Sequence, residues 1–289
     1  MRVSVIIPTL NAEQYLEKLL TVLFSQTQPA EIIVTDSGSE DRTVKIVKKY
    51  SNQVKLLQVS PDCYDHGGTR DFALRESTGE YVLFLTQDAL PTDQYYIERI
   101  LQPFQDSRIA AVCGRQTAYA DAPAYEKLTR EFNYPQTDRV WSKKDIERLG
   151  VKAYFFSDAC SAYRRSAYEA VGGFDRPILT NEDMMMAGKL LHGGYFLAYK
   201  AEAAVYHSHK FTLRQEYRRN AAIGCVMEQY RLRLRGAKSD REGLRMIRYV
   251  TAGLLRQKKA EELPYYILLL AAKFLGNRTG KRQYRGQPQ

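Results

Sequence analysis

Glu182 and Asp183 follow Gly172-Gly173-Phe174-Asp175 and Asn181. Asp88 stands 95 residues before Asp183, at the end of the apolar run Tyr81-Val82-Leu83-Phe84-Leu85. Separated carboxylates of this kind can divide the work of a transfer reaction. One takes a proton from an acceptor hydroxyl, and the other holds a divalent ion on a diphosphate. Mg2+ or Mn2+ so placed needs few protein oxygens, because phosphates and water supply the rest. Each feature also has a plainer reading. Glu182 and Asp183 suit the first turn of a helix, and a lone aspartate at a strand end is often a turn former.

Three further groups carry possible chemistry. Asp36-Ser37-Gly38-Ser39 closes an apolar run. A carboxylate there can accept hydrogen bonds from ribose hydroxyls or a base N–H, or it can close a strand-to-helix turn. His66-Gly67-Gly68-Thr69-Arg70-Asp71 opens a helical pattern. Gly67 and Gly68 allow close backbone approach, and Arg70 can pair with a phosphate or anchor a carboxylate. His207 and His209 alternate at the end of a strand-like run. Alternation predicts opposite faces, so at most one of them faces a site. Met184, Met185 and Met186 read as core.

The elements that must position these groups alternate. Strands are predicted at 3–8, 31–36, 54–59 and 80–85, with helices after Asn11, after Ser39 or Asp41, and over 70–77. Asn11 is a candidate cap of the first helix. Such alternation predicts an α/β fold, a Rossmann-like and mostly parallel sheet flanked by helices, with ligands at the C-terminal strand ends. Thr9, Asp36 and Asp88 all fall there. No Gly-x-Gly-x-x-Gly follows Val3–Pro8, so the dinucleotide cradle is absent. Strands are also predicted at 110–117, 154–164 and 195–206, and a short helix at 183–191. Residues 119–150 read as a mobile or acceptor-facing insertion.

The charge is unevenly placed. The net +10 over 289 residues arises because 210–289 holds 19 Lys/Arg against 6 Asp/Glu, leaving 24 against 27 for 1–209. The basic residues, among them Arg231, Arg233, Arg235, Arg241, Arg245 and Arg248, lie on a helical, amphipathic tail. They are not interleaved with aromatics on a sheet or groove, which disfavours a nucleic-acid adaptor. An anionic membrane surface is the expected partner. The apolar run 264–275 is too short to span and sits among Arg256, Lys258, Lys259, Arg278, Lys281, Arg282 and Arg285. A buried core helix is the alternative. Cys63, Cys113, Cys160 and Cys225 form no Cys-x-x-Cys pair, which suits a reducing compartment. The N-terminal run is too short for a signal peptide and reads as a strand.

In order, these segments resemble glycosyltransferase family 2, the inverting enzymes of the GT-A fold, over residues 3 to about 210. Val3-Ser4-Val5-Ile6-Ile7-Pro8-Thr9-Leu10-Asn11 is similar to the family's opening strand and base-binding turn. Glu31–Thr43 is similar to its acidic nucleoside loop, and Asn181-Glu182-Asp183 to its base motif. Thr86-Gln87-Asp88 takes the place of its Asp-x-Asp metal motif, and His207 falls where several members have a further metal ligand. Ser37 and Thr86 each replace an aspartate common in the family. These departures, with 66–70 and 84–89, resemble the bacterial rhamnosyltransferase branch, which uses dTDP-L-rhamnose to build cell-surface polysaccharide.

The resemblance implies a GT-A domain over 1–210, divided into a nucleotide-sugar half (1–115) and an acceptor half (116–210), with a basic helical region over 211–289. It implies Asp183 as base with Glu182 beside it. Donor contacts would come from Pro8, Thr9, Leu10, Asn11, Asp36, Ser37, Gly68, Arg70, Thr86 and Gln87. Asp88 and His207 would hold Mg2+ or Mn2+. The partners are a nucleotide-sugar donor, a glycan or lipid-linked acceptor and an anionic membrane, and the place is the cytoplasmic face of the plasma membrane. A UDP-hexose donor on the same fold remains the alternative.

Overall fold

Val3–Thr9 (β1) is apolar and almost wholly buried, as a central strand covered on both faces must be. The computed structural model describes residues 1–209, 211–234 and 240–286, so Arg235 lies outside the described residues. After β1 come α1 (Glu13–Phe24), β2 (Glu31–Asp36), α2 (Thr43–Lys49), β3 (Val54–Gln58), α3 (His66–Arg75) and β4 (Tyr81–Leu85). Then follow β5 (Leu90–Pro91), α4 (Tyr96–Leu101), β6 (Ile109–Thr117), α5 (Ala124–Asn133), β7 (Arg139–Trp141) and α6 (Ile146–Leu149). The remainder is β8 (Cys160–Arg164), α7 (Arg165–Ala170), α8 (Glu182–His192), β9 (Phe196–Tyr206), α9 (Leu213–Gln229), α10 (Asp240–Arg256) and α11 (Leu263–Arg285).

Among the described residues, nine strands form one sheet, in the order β3-β2-β1-β4-β8-β6-β9-β5, with β7 also on β9. The first four are parallel. β8 runs antiparallel to both β4 and β6, while β9 runs parallel to β6. The parallel part of the sheet ends at β4, and the remainder is mixed. Two apolar cores lie on the two faces, one around Ile7, Leu16, Leu20 and Val34, the other around Phe84, Tyr154, Tyr163 and Met186.

Local chemistry explains several boundaries. Asn11 does not cap α1; it sits at φ 51 and its side-chain oxygen accepts the N–H of Glu40 (3.0 Å). Asp41 serves both neighbouring helices instead. Its Oδ2 accepts the N–H of Glu13 (3.0 Å) and its Oδ1 the N–H of Thr43 (2.8 Å). A carboxylate at two helix N-termini is favoured by both dipoles. The 154–164 run forms a strand only from Cys160, because Asp158 and Ala159 form a turn just before it.

Residues 119–150 carry regular elements, α5, β7 and α6, and α5 packs on the C-terminal helices through Leu128, Val250, Leu254, Tyr266 and Leu269. Glu262 accepts the N–H groups of Ala124 (3.1 Å) and Tyr125 (3.0 Å), capping α5 from 138 residues away. α9 and α11 touch backbone to backbone. A Cβ on Gly276 would lie 2.3 Å from the carbonyl oxygen of Tyr217, and one on Gly280 would lie 1.8 Å from that of Ala221. The outer face of α11 stays exposed at Ile267, Leu268, Phe274 and Leu275. Among the described residues no helix is long and apolar enough to cross a membrane.

Candidate active site

Glu182 and Asp183 form the first turn of α8, reached through Asn181 in the left-handed conformation (φ 60). Their side chains diverge. Glu182 is buried and pairs with Arg70 Nη1 (3.0 Å). Asp183 faces a cavity of ≈ 320 Å³. Its Oδ1 accepts the N–H of Met184 (2.7 Å) and its Oδ2 that of Asp158 (3.2 Å). Burial, reinforced by the charges of Glu182 and Asp158, pushes its proton affinity well above the ordinary aspartate range. A carboxylate so placed is a strengthened base.

Asp158 is a site residue that the periodic reading passed over. It is buried, its Oδ1 accepts the hydroxyls of Ser161 (2.6 Å) and Tyr163 (2.7 Å), and Arg70 Nε lies 3.8 Å from its Oδ2. Burial lifts its pKa to about 6, against the pull of Arg70. The available signal was a charge inside the apolar stretch Phe155–Cys160, since buried carboxylates need partners. One arginine, Arg70, thus stands among three carboxylates. Its buried guanidinium is turned to Glu182 and Asp158, so of the two roles left open for it the geometry favours anchoring carboxylates.

Asp88 lies beyond β4, and both histidines reach it. His207 Nε2 is 3.4 Å from Oδ1, and His209 Nδ1 is 3.2 Å from Oδ2. The expectation that at most one histidine faces the site is therefore corrected. β9 ends at Tyr206, so strand alternation no longer applies, and the two rings meet edge to face at 4.3 Å. Burial alone would raise the pKa of Asp88, but the two imidazoles outweigh it and hold the carboxyl well below its usual range. Burial drives the pKa of His207 down to about 4.

This cluster fits a divalent ion. One ligand atom from each of the three residues lies within 4.8 Å of the others. His207 Nε2 is buried with no hydrogen-bond partner, which costs free energy unless a cation takes the lone pair. Its other nitrogen, Nδ1, is bonded to Gln116 Oε1 (2.8 Å).

The residues expected on the donor side mostly hold one another. Thr9 Oγ1 donates to Asp36 Oδ1 (3.3 Å), and Asp36 Oδ2 accepts the N–H groups of Gly38 (3.1 Å) and Ser39 (3.0 Å). Asp36 thus closes its turn, and Gly38, at φ +89, has no room for a Cβ against Pro61. Gln87 clamps the Leu10 backbone, accepting its N–H (2.8 Å) and donating to its carbonyl (3.1 Å). An amide does this and an aspartate cannot, which accounts for Gln87 beside Asp88. Gly68 donates to Asp65 Oδ2 (2.8 Å), the cap of α3, and a Cβ there would meet that oxygen at 2.3 Å. Pro8, Leu10 and Asn11 rim this edge, with Leu10 and Asn11 exposed. The hydroxyls of Ser37 and Thr86 are buried without partners.

Asp183, His207 and His209 line one cavity, whose outer wall is α5, α9 and α11 through Arg130, Arg219, Tyr266 and Lys273. Asp183 and the two histidines that reach Asp88 thus share one cavity, beside a sheet whose first four strands are parallel. These features define a nucleotide-sugar-dependent transferase of the GT-A type.

Comparisons agree. The family described as Glycosyl transferase family 2 matches residues 4–172. The chain is 38% identical, over 97% of its own length and 90% of the other's, to the O-antigen chain rhamnosyltransferase RfbN of Salmonella typhimurium. Among solved structures, residues 1–349 of S. aureus TarS superpose with TM-score 0.62 at 20% identity, covering 99% of this chain and 92% of that one. A Pyrobaculum calidifontis mannosyltransferase, PcManGT, in complex with GDP-Man and Mn2+ gives TM-score 0.62 at 19% identity, covering 98% and 84%. The chain belongs to glycosyltransferase family 2, and it is a glycosyltransferase.

Proposed function

We propose that this enzyme transfers L-rhamnose from dTDP-L-rhamnose, with inversion, to a cell-surface polysaccharide or lipid-linked glycan. The donor rests on the 38% identity to RfbN. The chemistry rests on one observation: Asp183, His207 and His209 line the same cavity, and Asp88 touches both imidazoles. Asp183 takes the proton of the acceptor hydroxyl as that oxygen attacks the anomeric carbon. Glu182, held by Arg70, keeps the proton affinity of Asp183 high. Asp88, His207 and His209 would hold the metal. Mn2+ suits this mixed set better than Mg2+, which takes oxygen ligands. Bound there, the ion offsets charge developing on the leaving diphosphate. Thr9, Asp36, Ser37, Gly68, Gln87 and the 8–11 edge shape the nucleoside side by fixing the loops that meet it.

The enzyme would work at the cytoplasmic face of the plasma membrane. Ile267, Leu268, Phe274 and Leu275 are exposed on one side of α11, and Arg278, Arg282 and Arg285 continue along it. An apolar stripe running into basic residues suits an anionic leaflet.

A calorimetric and hydrolysis panel of dTDP-L-rhamnose, UDP-glucose, UDP-galactose and GDP-mannose tests the donor. We expect dTDP-L-rhamnose to bind tightest and to be turned over. Tighter binding and turnover of a UDP-hexose would replace it.

A further inference from the structure

Gln116 is buried on β6, between the two halves of the chemistry, and no reaction step described so far uses it. Its amide makes three contacts. Oε1 accepts from Arg130 Nη1 in a short contact and meets His207 Nδ1 at 2.8 Å, and Nε2 donates to Ser157 Oγ (2.8 Å). Arg130 decides how these contacts are read. A guanidinium has donors only, so the atom of Gln116 facing it must be the oxygen. The amide is thereby fixed against a flip, and the His207 nitrogen on the same oxygen must carry the proton. The imidazole is then the Nδ1–H tautomer, and Nε2, buried and without a hydrogen-bond partner, presents its lone pair beside Asp88.

We infer that Gln116, locked by Arg130, is a positioning residue that sets the His207 tautomer and aims Nε2 at the metal site. This rests on the metal reading given above. The same amide touches the other centre. Ser157 precedes Asp158, whose N–H holds Asp183 Oδ2 (3.2 Å). Arg130 itself lines the cavity beside Asp183. One buried amide therefore ties together the metal ligand, the turn that carries the base and the cavity wall. Partners of metal-bound histidines commonly fix tautomer and ring orientation in this way, and their loss costs about 10- to 100-fold in metal affinity or activity.

The test uses the full chain and two readouts that do not depend on activity. The first is the tautomer of His207 without metal, from two-bond proton–nitrogen NMR correlations. The protein has four histidines, so His207→Asn assigns the signal. The second is Mn2+ affinity by calorimetry or paramagnetic resonance. We expect the parent to show the Nδ1–H form, and Gln116→Leu to show a tautomer mixture with Mn2+ affinity lowered by about 10- to 100-fold. Gln116→Glu, which can still accept from both His207 and Arg130, should keep both readouts near the parent.

An Nε2–H tautomer in the parent, or unchanged tautomer and Mn2+ affinity in folded Gln116→Leu, would overturn the inference. If Gln116→Leu fails to fold, Arg130→Met decides. It should release the amide and mix the tautomers, and a pure Nδ1–H form there would overturn the inference. A parent that binds no Mn2+ yet holds the Nδ1–H form would sink the metal reading and leave the tautomer lock standing.

Discussion

The loops at the ends of β1, β2 and β4, with the start of α3, and the cluster around α8 and the end of β9 use their polar side chains differently. In the first region the carboxylates and amides are occupied by backbone, and what is left without partners is hydroxyls such as those of Ser37 and Thr86. Asp36 closes a turn, Gln87 clamps Leu10, and Asp65 caps α3. In the second region atoms are left over. His207 Nε2 has no hydrogen-bond partner, Asp183 faces a cavity, and burial perturbs both groups. The first region is a rigid frame that presents backbone and hydroxyls. The second holds perturbed and unpartnered titratable groups, the property expected of reacting groups.

Asp183→Asn should break the second region most severely. It keeps shape but takes no proton, so transfer should fall by on the order of 100-fold or more while donor affinity holds. Near-parental transfer would remove Asp183 from the role. Asp88→Ala should weaken donor binding in Mn2+ by at least the ~10-fold that loss of a supporting partner costs. Exhaustive chelation of the parent should mimic it, and full activity in chelator would contradict the metal role.

Glu182→Gln sharpens the comparison through pH. Asp183 works deprotonated, and the neighbouring charge holds its pKa up. Activity must therefore rise with pH through that pKa, and removing the charge should move the acidic limb of the kcat profile to lower pH. An unmoved limb would assign the limb to another group. Smaller effects are expected in the C-terminal helices. Gly280→Ala forces a methyl against the Ala221 carbonyl and should cost about 1–3 kcal/mol, read as a lower Tm. Gly243→Ala, with nothing within 4 Å, should instead stabilise by roughly 0.5–1 kcal/mol. Replacing Ile267 and Phe274 by Ser should reduce sedimentation with anionic liposomes without changing donor hydrolysis. Unchanged binding would assign the attachment to the basic residues alone.

The α/β alternation and the position of Asp88 at a strand end were legible because runs such as Tyr81–Leu85 and Val3–Pro8 end abruptly in polar residues, and the position of Asp183 at a helix start because an acidic pair follows Asn181. Asp158 and Gln116 were not, since each lies inside a run that reads as strand and nothing in spacing marks an inward-facing amide. Alternation allows only one of His207 and His209 at the site, but it stops applying at Tyr206, where β9 ends. Asp36 and Gln87 show a different limit. A side chain that binds its own backbone and one that binds a ligand look alike in a sequence, and only the hydrogen bonds separate them. The contact between α9 and α11 depends on Gly276 and Gly280, four residues apart in a helix whose apolar residues drew attention first.

The central claim is that Asp183 activates the acceptor for a single displacement, with no protein nucleophile. The anomeric configuration of the product tests it most directly. With dTDP-L-rhamnose and an accepted glycan, NMR of the new linkage should show the configuration opposite to that of the donor. Retained configuration would require a covalent or front-face route and would contradict the account.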